Sequence, residues 1–188
     1  MTNKMIIFSA PSGAGKTTIV RHLLRRFPAL EFSISATTRA RRGAEQHAKD
    51  YFFLTHDEFM ERVQRGDFAE WEEVYPGLCY GTLKSEMERI WAKGHVIAFD
   101  IDVQGGLNLK RMYGAQALAV FVRPPSLEAL RQRLERRGTD KPETVRERLD
   151  KATCELGFAA QFDVELVNDH LDDAKLRAEQ LVAAFLSA

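Results

Sequence analysis

Hydrophobic and polar positions fall along the chain in blocks whose period changes. Met5-Ile6-Ile7-Phe8 is a continuous apolar run, and a glycine-containing stretch follows it. An amphipathic segment from about Lys16 to Arg26 then puts Ile19, Val20, Leu23 and Leu24 on one side, which predicts a helix stopped by Pro28. Phe32-Ser33-Ile34-Ser35 alternates like a half-buried strand, and Thr37 to Gly43 has no period and reads as an exposed loop. Tyr51-Phe52-Phe53-Leu54 is strand-like. Thr55 and Glu58 have capping-box spacing, so a helix is expected to about Arg65, closed by Gly66. Phe68 to Trp71 reads as a short strand, Pro76-Gly77 as a turn, and Leu83 to Lys93 as a helix entered from Tyr80-Gly81-Thr82. Val96 to Phe99 and Leu118 to Val122 are unbroken apolar runs, the form of strands buried on both faces. Further helices are expected at about 105–112, from the Ser126 cap to 136, from 140 to 160 and from 172 to 186, with a last strand at Val164 to Val167. Buried strands alternating with helices predict an α/β fold with a parallel sheet and ligands at the carboxyl ends of its strands.

Composition narrows the class. The 188 residues suffice for one sizeable core with inserted lobes, and 45% hydrophobic with 29% charged residues reads as globular. Lys and Arg number 27, as do Asp and Glu, so a nucleic-acid polymer is disfavoured as partner and any anion site must come from local clustering. Two cysteines, Cys79 and Cys154, suit a reducing, cytoplasmic compartment rather than a disulfide framework. No signal peptide is read at the N-terminus, no apolar stretch approaches a membrane span, and no linker or repeat is visible. A second lobe would therefore be an insertion into the core.

The candidate chemistry begins at Ala10-Pro11-Ser12-Gly13-Ala14-Gly15-Lys16-Thr17-Thr18, a phosphate-loop pattern with Ala10 in place of its first Gly. Backbone N–H groups there can turn inward on a phosphate, Gly13 and Gly15 allow close approach, and the following helix adds its positive end. Lys16 would reach the β- and γ-phosphates and the Thr17 hydroxyl would hold Mg²⁺. Asp100 ends a buried strand, where a carboxylate either holds Mg²⁺ through water or caps a turn, and Asp102 shares its face if the chain stays extended. Six arginines between 131 and 148 form either a solvated helix face or a flap over transferred phosphates. Arg133, Arg137 and Arg148 are the flap candidates, and Arg131 and Arg136 read as surface. Arg39 and Arg42, with Ser35, Tyr51 and Tyr80, suit a second anion. A carboxylate and a hydroxyl at Glu70 and Thr82 would match guanine's donors and its O6, but taken alone Glu70 reads more simply as a surface residue on a short strand. The five histidines show no metal-ligand spacing, Glu72-Glu73 reads as solvated charge, and Trp71 and Trp91 read as packing.

Over essentially its whole length the chain resembles the guanylate kinases, the ATP:GMP phosphotransferases. The resemblance rests on Ser9 to Thr18, Ser-Ala-Thr-Thr-Arg (35–39), Lys-Asp-Tyr-Phe-Phe (49–53), Glu-Trp (70–71), Tyr-Gly-Thr (80–82), Asp-Ile-Asp-Val-Gln-Gly (100–105), Arg-Gly-Thr (137–139) and Val-Asn-Asp (167–169), in the family's order. It implies a P-loop core at 1–32, 87–125 and 158–188, an inserted mixed α/β GMP-binding lobe at 33–86 and a helical lid at 126–157. It implies transfer of the γ-phosphoryl of Mg·ATP to GMP and dGMP, with no membrane or nucleic-acid partner. By resemblance Ser35, Arg39, Arg42, Tyr51 and Tyr80 hold the GMP phosphate, and Glu70 and Thr82 read guanine. Asp100 and Asp102 match the acidic pair near Mg²⁺ and GMP, with the division of roles between them open, Lys16, Arg133, Arg137 and Arg148 surround the transferred phosphoryl, and Asn168 lies near adenine. The chain departs from the family at Ala10, at Arg41 (commonly Pro), at Ala48 (commonly Gly) and at Cys79. None removes a donor or carboxylate. Non-catalytic relatives of the family tend to lose the loop lysine and lid arginines, which are present here.

Overall fold

A computed structural model describes residues 3–136 and 142–188. Five strands form a parallel sheet: β1 (Met5–Ser9), β2 (Leu30–Phe32), β7 (Val96–Asp100), β8 (Ala117–Arg123) and β9 (Val164–Val167), in the order β2-β7-β1-β8-β9. The strand order reverses around β1, so its carboxyl end opens on a crevice. Alternate residues of β1 face opposite layers. Ile6 and Phe8 pack with Ile19, Val20 and Leu23 of α1 (Lys16–Arg26) and with Ala174, Ala178 and Val182 of α7 (Leu171–Ser187). Met5 and Ile7 pack with Met87 and Ile90 of α3 (Lys84–Ala92) and Leu109 of α4 (Val103–Tyr113). Burial on both faces explains the unbroken apolar runs. Each such side chain contributes about 2 kcal/mol, which holds β1 and α1 rigidly on either side of the loop joining them.

A second, four-stranded sheet, ordered β4-β3-β6-β5, is built from β3 (Ala36–Thr37), β4 (Phe52–Phe53), β5 (Phe68–Tyr75) and β6 (Leu78–Leu83). Against it packs α2 (His56–Gln64), whose capping box is made by Thr55 and Glu58 as expected; Phe59 of α2 stacks on Phe68. The strand expected over 32–35 is instead a junction. Ser33 N–H still donates to Ala98 O, but Ile34 N–H turns to the Glu86 carboxylate, and the chain passes from one sheet to the other. β5 runs four residues further than expected, and Tyr80-Gly81-Thr82, which leads into α3 as expected, does so as part of a strand. Gly81 pairs with Trp71 where a Cβ would stand 2.8 Å from Phe68 and 2.9 Å from Trp71, so glycine there serves strand packing. Ala48, in place of the family's common Gly, is the one non-glycine residue with positive φ among the described residues, at 61°.

The helix α5 (Leu127–Arg136) starts at Ser126, whose hydroxyl accepts from Ala129 N–H. The next, α6 (Pro142–Leu156), stops at Gly157, short of the expected 160, and a 3₁₀ turn follows. α5 and α6 meet through Leu130, Leu134, Val145 and Ala152. No helix among the described residues is long and apolar enough to cross a membrane.

Candidate active site

The loop from Ala10 to Gly15 joins the buried β1 to α1. Gly13 and Gly15 take φ of 93° and 96°, conformations that L side chains rarely adopt. Gly15 is also the N-cap of α1, no side chain caps that helix, and its first turn carries no acidic residue. The positive end of α1 is thus turned toward an anion. Asn168, just after β9, is almost fully buried and its amide donates to Ala14 O at 2.7 Å. A Cβ on Gly15 would collide with that amide.

A cleft of about 640 Å³ opens beside the loop. Ala10, Pro11, Ser12, Gly13, Gly15, Lys16, Thr17 and Thr18 line one side, Ser35, Tyr51 and Tyr80 another, Asp100 and Asp102 the base, and Arg148 the α6 side. The structure separates the two aspartates. Asp100 pairs with Lys16 and accepts from the Thr17 hydroxyl at 2.6 Å. Lys16 also donates to Ile101 O at 2.9 Å. Asp102 caps α4, accepting from Gly105 N–H at 2.9 Å, and lies toward the second sheet. Burial lifts the Tyr51 phenol above its ordinary value, so Tyr51 enters the site as a hydrogen-bond donor.

Glu70 and Thr82 are cross-strand partners on β5 and β6 and both are buried. The surface reading of Glu70 is therefore wrong. No protein group stands in good hydrogen-bond geometry to Glu70 Oε1 or to the Thr82 hydroxyl, although Thr82, directly across the strand pair, is near enough to lower the Glu70 carboxyl; Ser33 Oγ and Asn168 Oδ1 are buried without a partner as well. Burial lifts the Glu70 carboxyl to about 7, Asp102 adds to the rise, and Thr82 offsets part of it. Two buried, unpartnered polar atoms of opposite capability are costly unless a ligand satisfies them. Glu72 is likewise not solvated charge: burial and then Asp102 lift it to about 7 as well.

Arg39 lies outside the cleft lining, with its guanidinium over the Tyr51 ring at 5.2 Å and in a two-bond pair with Glu45. Arg42 is exposed, and its N–H donates to the same carboxylate at 2.8 Å. Arg148 donates to Ser12 Oγ at 2.7 Å. Arg133 does not reach this cleft; it bonds Asn168 O at 2.8 Å and lines a separate cavity of about 530 Å³ with Asn168, Gly13, Gly15 and Thr18. Arg137 lies outside the described residues. Sequence reasoning missed Glu45, Tyr75, Lys151 and Glu155. The last two line the cleft with Thr144 and Arg148, and the 144/148/151/155 spacing of one helical face was a readable signal.

The family model of guanylate kinase matches residues 2–185. A guanylate kinase of Bacteroides thetaiotaomicron is 51% identical over 187 residues, covering 100% of this chain and 92% of that protein. One from Porphyromonas gingivalis is 49% identical and covers 98% of each. The crystal structure of guanylate kinase from Anaplasma phagocytophilum superposes with a TM-score of 0.75 at 27% identity, over 96% of this chain and 85% of that one. With the phosphate loop, the paired sheets and the buried Glu70–Thr82 pair at their junction, these likenesses mean that the chain belongs to the guanylate kinase family.

Proposed function

We propose that the chain transfers the γ-phosphoryl group of ATP to the phosphate of GMP, and of dGMP, giving ADP and GDP. The observation that carries this reading is the buried pair Glu70 Oε1 and the Thr82 hydroxyl, which lies outside the lining of the phosphate-loop cleft but neighbours Asp102 of that lining. Guanine supplies N–H donors for the carboxylate and O6 for the hydroxyl; adenine reverses both and would leave them unsatisfied.

The remaining roles are carried over from the family resemblance, and the cleft lining supports those of the loop, Ser35, Tyr51, Tyr80 and Arg148. The amides of Gly13 and Gly15 and the start of α1 hold the donor's phosphates, with Lys16 between donor and acceptor phosphates. Arg148 faces the loop across the cleft and stabilises charge on the moving phosphoryl. Ser35, Tyr51, Tyr80, Arg39 and Arg42 hold the acceptor phosphate. Asn168 keeps the loop in shape through Ala14 O, and with Arg133 it borders the cavity suited to the donor's base. Thr17 Oγ1 and Asp100 are hard oxygen donors lying together, a set that fits Mg²⁺, which takes one or two protein oxygens alongside substrate phosphates. Held there, Mg²⁺ would neutralise charge on the donor's phosphates. No side chain need act as nucleophile, so positioning and charge supply the catalysis.

Three units follow: a core at 1–32, 87–125 and 158–188, an acceptor lobe at 33–86 that contains the whole second sheet, and a lid at 126–157. The reading places a cytoplasmic enzyme on small nucleotides. ADP release measured with GMP, AMP, CMP and UMP as acceptors tests it: GMP alone should support rapid turnover, and equal rates across the four would overturn it.

A further inference from the structure

Arg39 is held more fully than a surface arginine. The turn Arg42-Gly43-Ala44-Glu45, closed by Glu45 N–H on Arg42 O at 3.1 Å and entered through Gly43 at φ 52°, swings the Glu45 carboxylate back onto the guanidinium. Nη1 donates to Glu45 Oε2 at 3.0 Å and to Ala40 O at 2.8 Å, and Nη2 donates to Glu45 Oε1 at 2.8 Å. A guanidinium has five N–H groups. Both on Nη1 and one on Nη2 are used on this side; the second Nη2 hydrogen and Nε–H remain, and the Tyr80 hydroxyl, which lines the cleft, lies close to the guanidinium as well. The two remaining hydrogens project from one edge of the plane and form the lateral fork that matches two oxygens of a phosphate. The ring centroids of Tyr51 and Phe53 lie 5.2 Å and 5.7 Å from the guanidinium carbon, so cation–π attraction adds to the hold on Arg39. The Arg39 hydrogen bonds, with the Arg42 amide next, hold Glu45 below the ordinary carboxylate range, and it stays ionised at neutral pH.

We propose that Glu45 is a positioning residue for the acceptor: it grips Arg39 by its end-on edge and the Arg42 amide at the same time, so that the lateral Nε/Nη2 fork of Arg39 is presented to the phosphate of the nucleoside monophosphate. The proposal rests on the acceptor reading given above. It does not make Glu45 a catalytic residue, since Glu45 meets Arg39 and not the substrate. It gives the loop 39–45 a purpose that its irregular, basic sequence hides: one acidic residue placed to orient a neighbouring cation by charge and geometry together.

The test is steady-state kinetics and equilibrium titration on the full chain. Glu45→Gln keeps the shape but offers Arg39 one acceptor and a clashing amide. KM for GMP should rise by about tenfold, the weight of one charge-assisted bond, while kcat at saturating GMP and KM for ATP stay close to wild type. Guanosine, which lacks the phosphate, should bind both proteins equally. In an Arg39→Ala background, Glu45→Gln should add nothing. An unchanged KM for GMP would overturn the proposal, and so would a lowered one, since the carboxylate would then compete with phosphate. Equal weakening of GMP and guanosine, a matching rise in KM for ATP, or an effect that persists without Arg39 would mean loss of general structure and would also overturn it. If wild type does not phosphorylate GMP at all, the acceptor reading fails and takes this proposal with it. Wild-type activity with an unmoved variant sinks the Glu45 role alone.

Discussion

Glu70 carries the most consequence per atom. Unfolded, its carboxyl titrates near 4.5; folded, burial moves it to about 7. Below 4.5 both states are protonated and Glu70 costs nothing. As pH rises toward 7 the unfolded chain ionises and the folded one does not, so stability falls, by about 3 kcal/mol once both are ionised. Glu70→Gln should therefore gain on wild type in thermal melts as pH is raised from 5 to 8, and a constant offset in Tm would contradict the assignment. Binding has the opposite slope. Guanine donors favour the carboxylate, so GMP affinity should weaken as pH drops below 7. The substrate phosphate also titrates near 6, and the Gln variant, which keeps that titration but lacks the carboxylate, isolates the protein's share. From the sequence alone this residue was unreadable: a Glu in a short strand gives no sign of burial, and the resemblance supplied the role. Ala48 is the converse case. Its departure from Gly was visible in the sequence, and the structure gives its cost, a left-handed backbone on a residue with a Cβ. Ala48→Gly should stabilise by up to about 1 kcal/mol, read as a rise in Tm with kcat unchanged.

At the scale of elements, the regular ones were legible and the junctions were not. The period of 3.6 from Lys16 to Arg26 gave α1 to its ends, and apolar runs gave β1, β7 and β8, because each is fixed by burial that composition records. The passage from Ser33 to Thr37 depends on long-range bonds, among them Ser33 N–H to Ala98 O, Ile34 N–H to Glu86 and Phe52 N–H to Ser35 O, and β6 depends on glycine fitting across a strand pair. Neither leaves a periodic trace. The N-terminal turn of α4 is the junction that matters most to the site. Asp102 caps it, Gly105 donates to that cap, and a Cβ on Gly105 would lie 2.7 Å from Glu70 Oε2 and 2.9 Å from Ile101 Cδ1. Ile101 Cδ1 has a packed core behind it, so the carboxylate must move. Gly105→Ala should raise KM for GMP by about an order of magnitude, with KM for ATP unaffected, as expected when a site is displaced by about 1 Å. Equal losses for both substrates would show that α4 as a whole had shifted.

For the whole molecule the question is how a cleft open to solvent transfers a phosphoryl group to a nucleotide rather than to water. The cleft of about 640 Å³ draws its lining from the phosphate loop, from Ser35, Tyr51, Val74, Tyr75 and Tyr80, and from Thr144, Glu147, Arg148, Lys151 and Glu155 of α6. Lys151 lies over the Tyr75 ring at 5.5 Å, Arg148 reaches Ser12, Arg133 bonds Asn168 O, and Leu130 and Leu134 stand against Gly13, while the α5–α6 pair also has a small core of its own. A unit with a core of its own can turn as a body, and charge on both substrates gives it reason to turn inward. Closure should therefore need both ligands. GMP with a non-hydrolysable ATP analogue should slow amide exchange along 142–156 and reduce the radius of gyration, with either ligand alone giving a smaller change. Arg148→Ala should remove most of the closure-dependent rate, lowering kcat by about a hundredfold while GMP affinity at equilibrium stays near that of wild type. If α6 exchanges at one rate in all ligand states, or if Arg148→Ala weakens GMP binding as much as turnover, then 126–157 is a fixed wall of the cleft. Water exclusion would then have to come from the acceptor lobe, whose hairpin tip at Val74 and Tyr75 is the other part of the lining that can reach across.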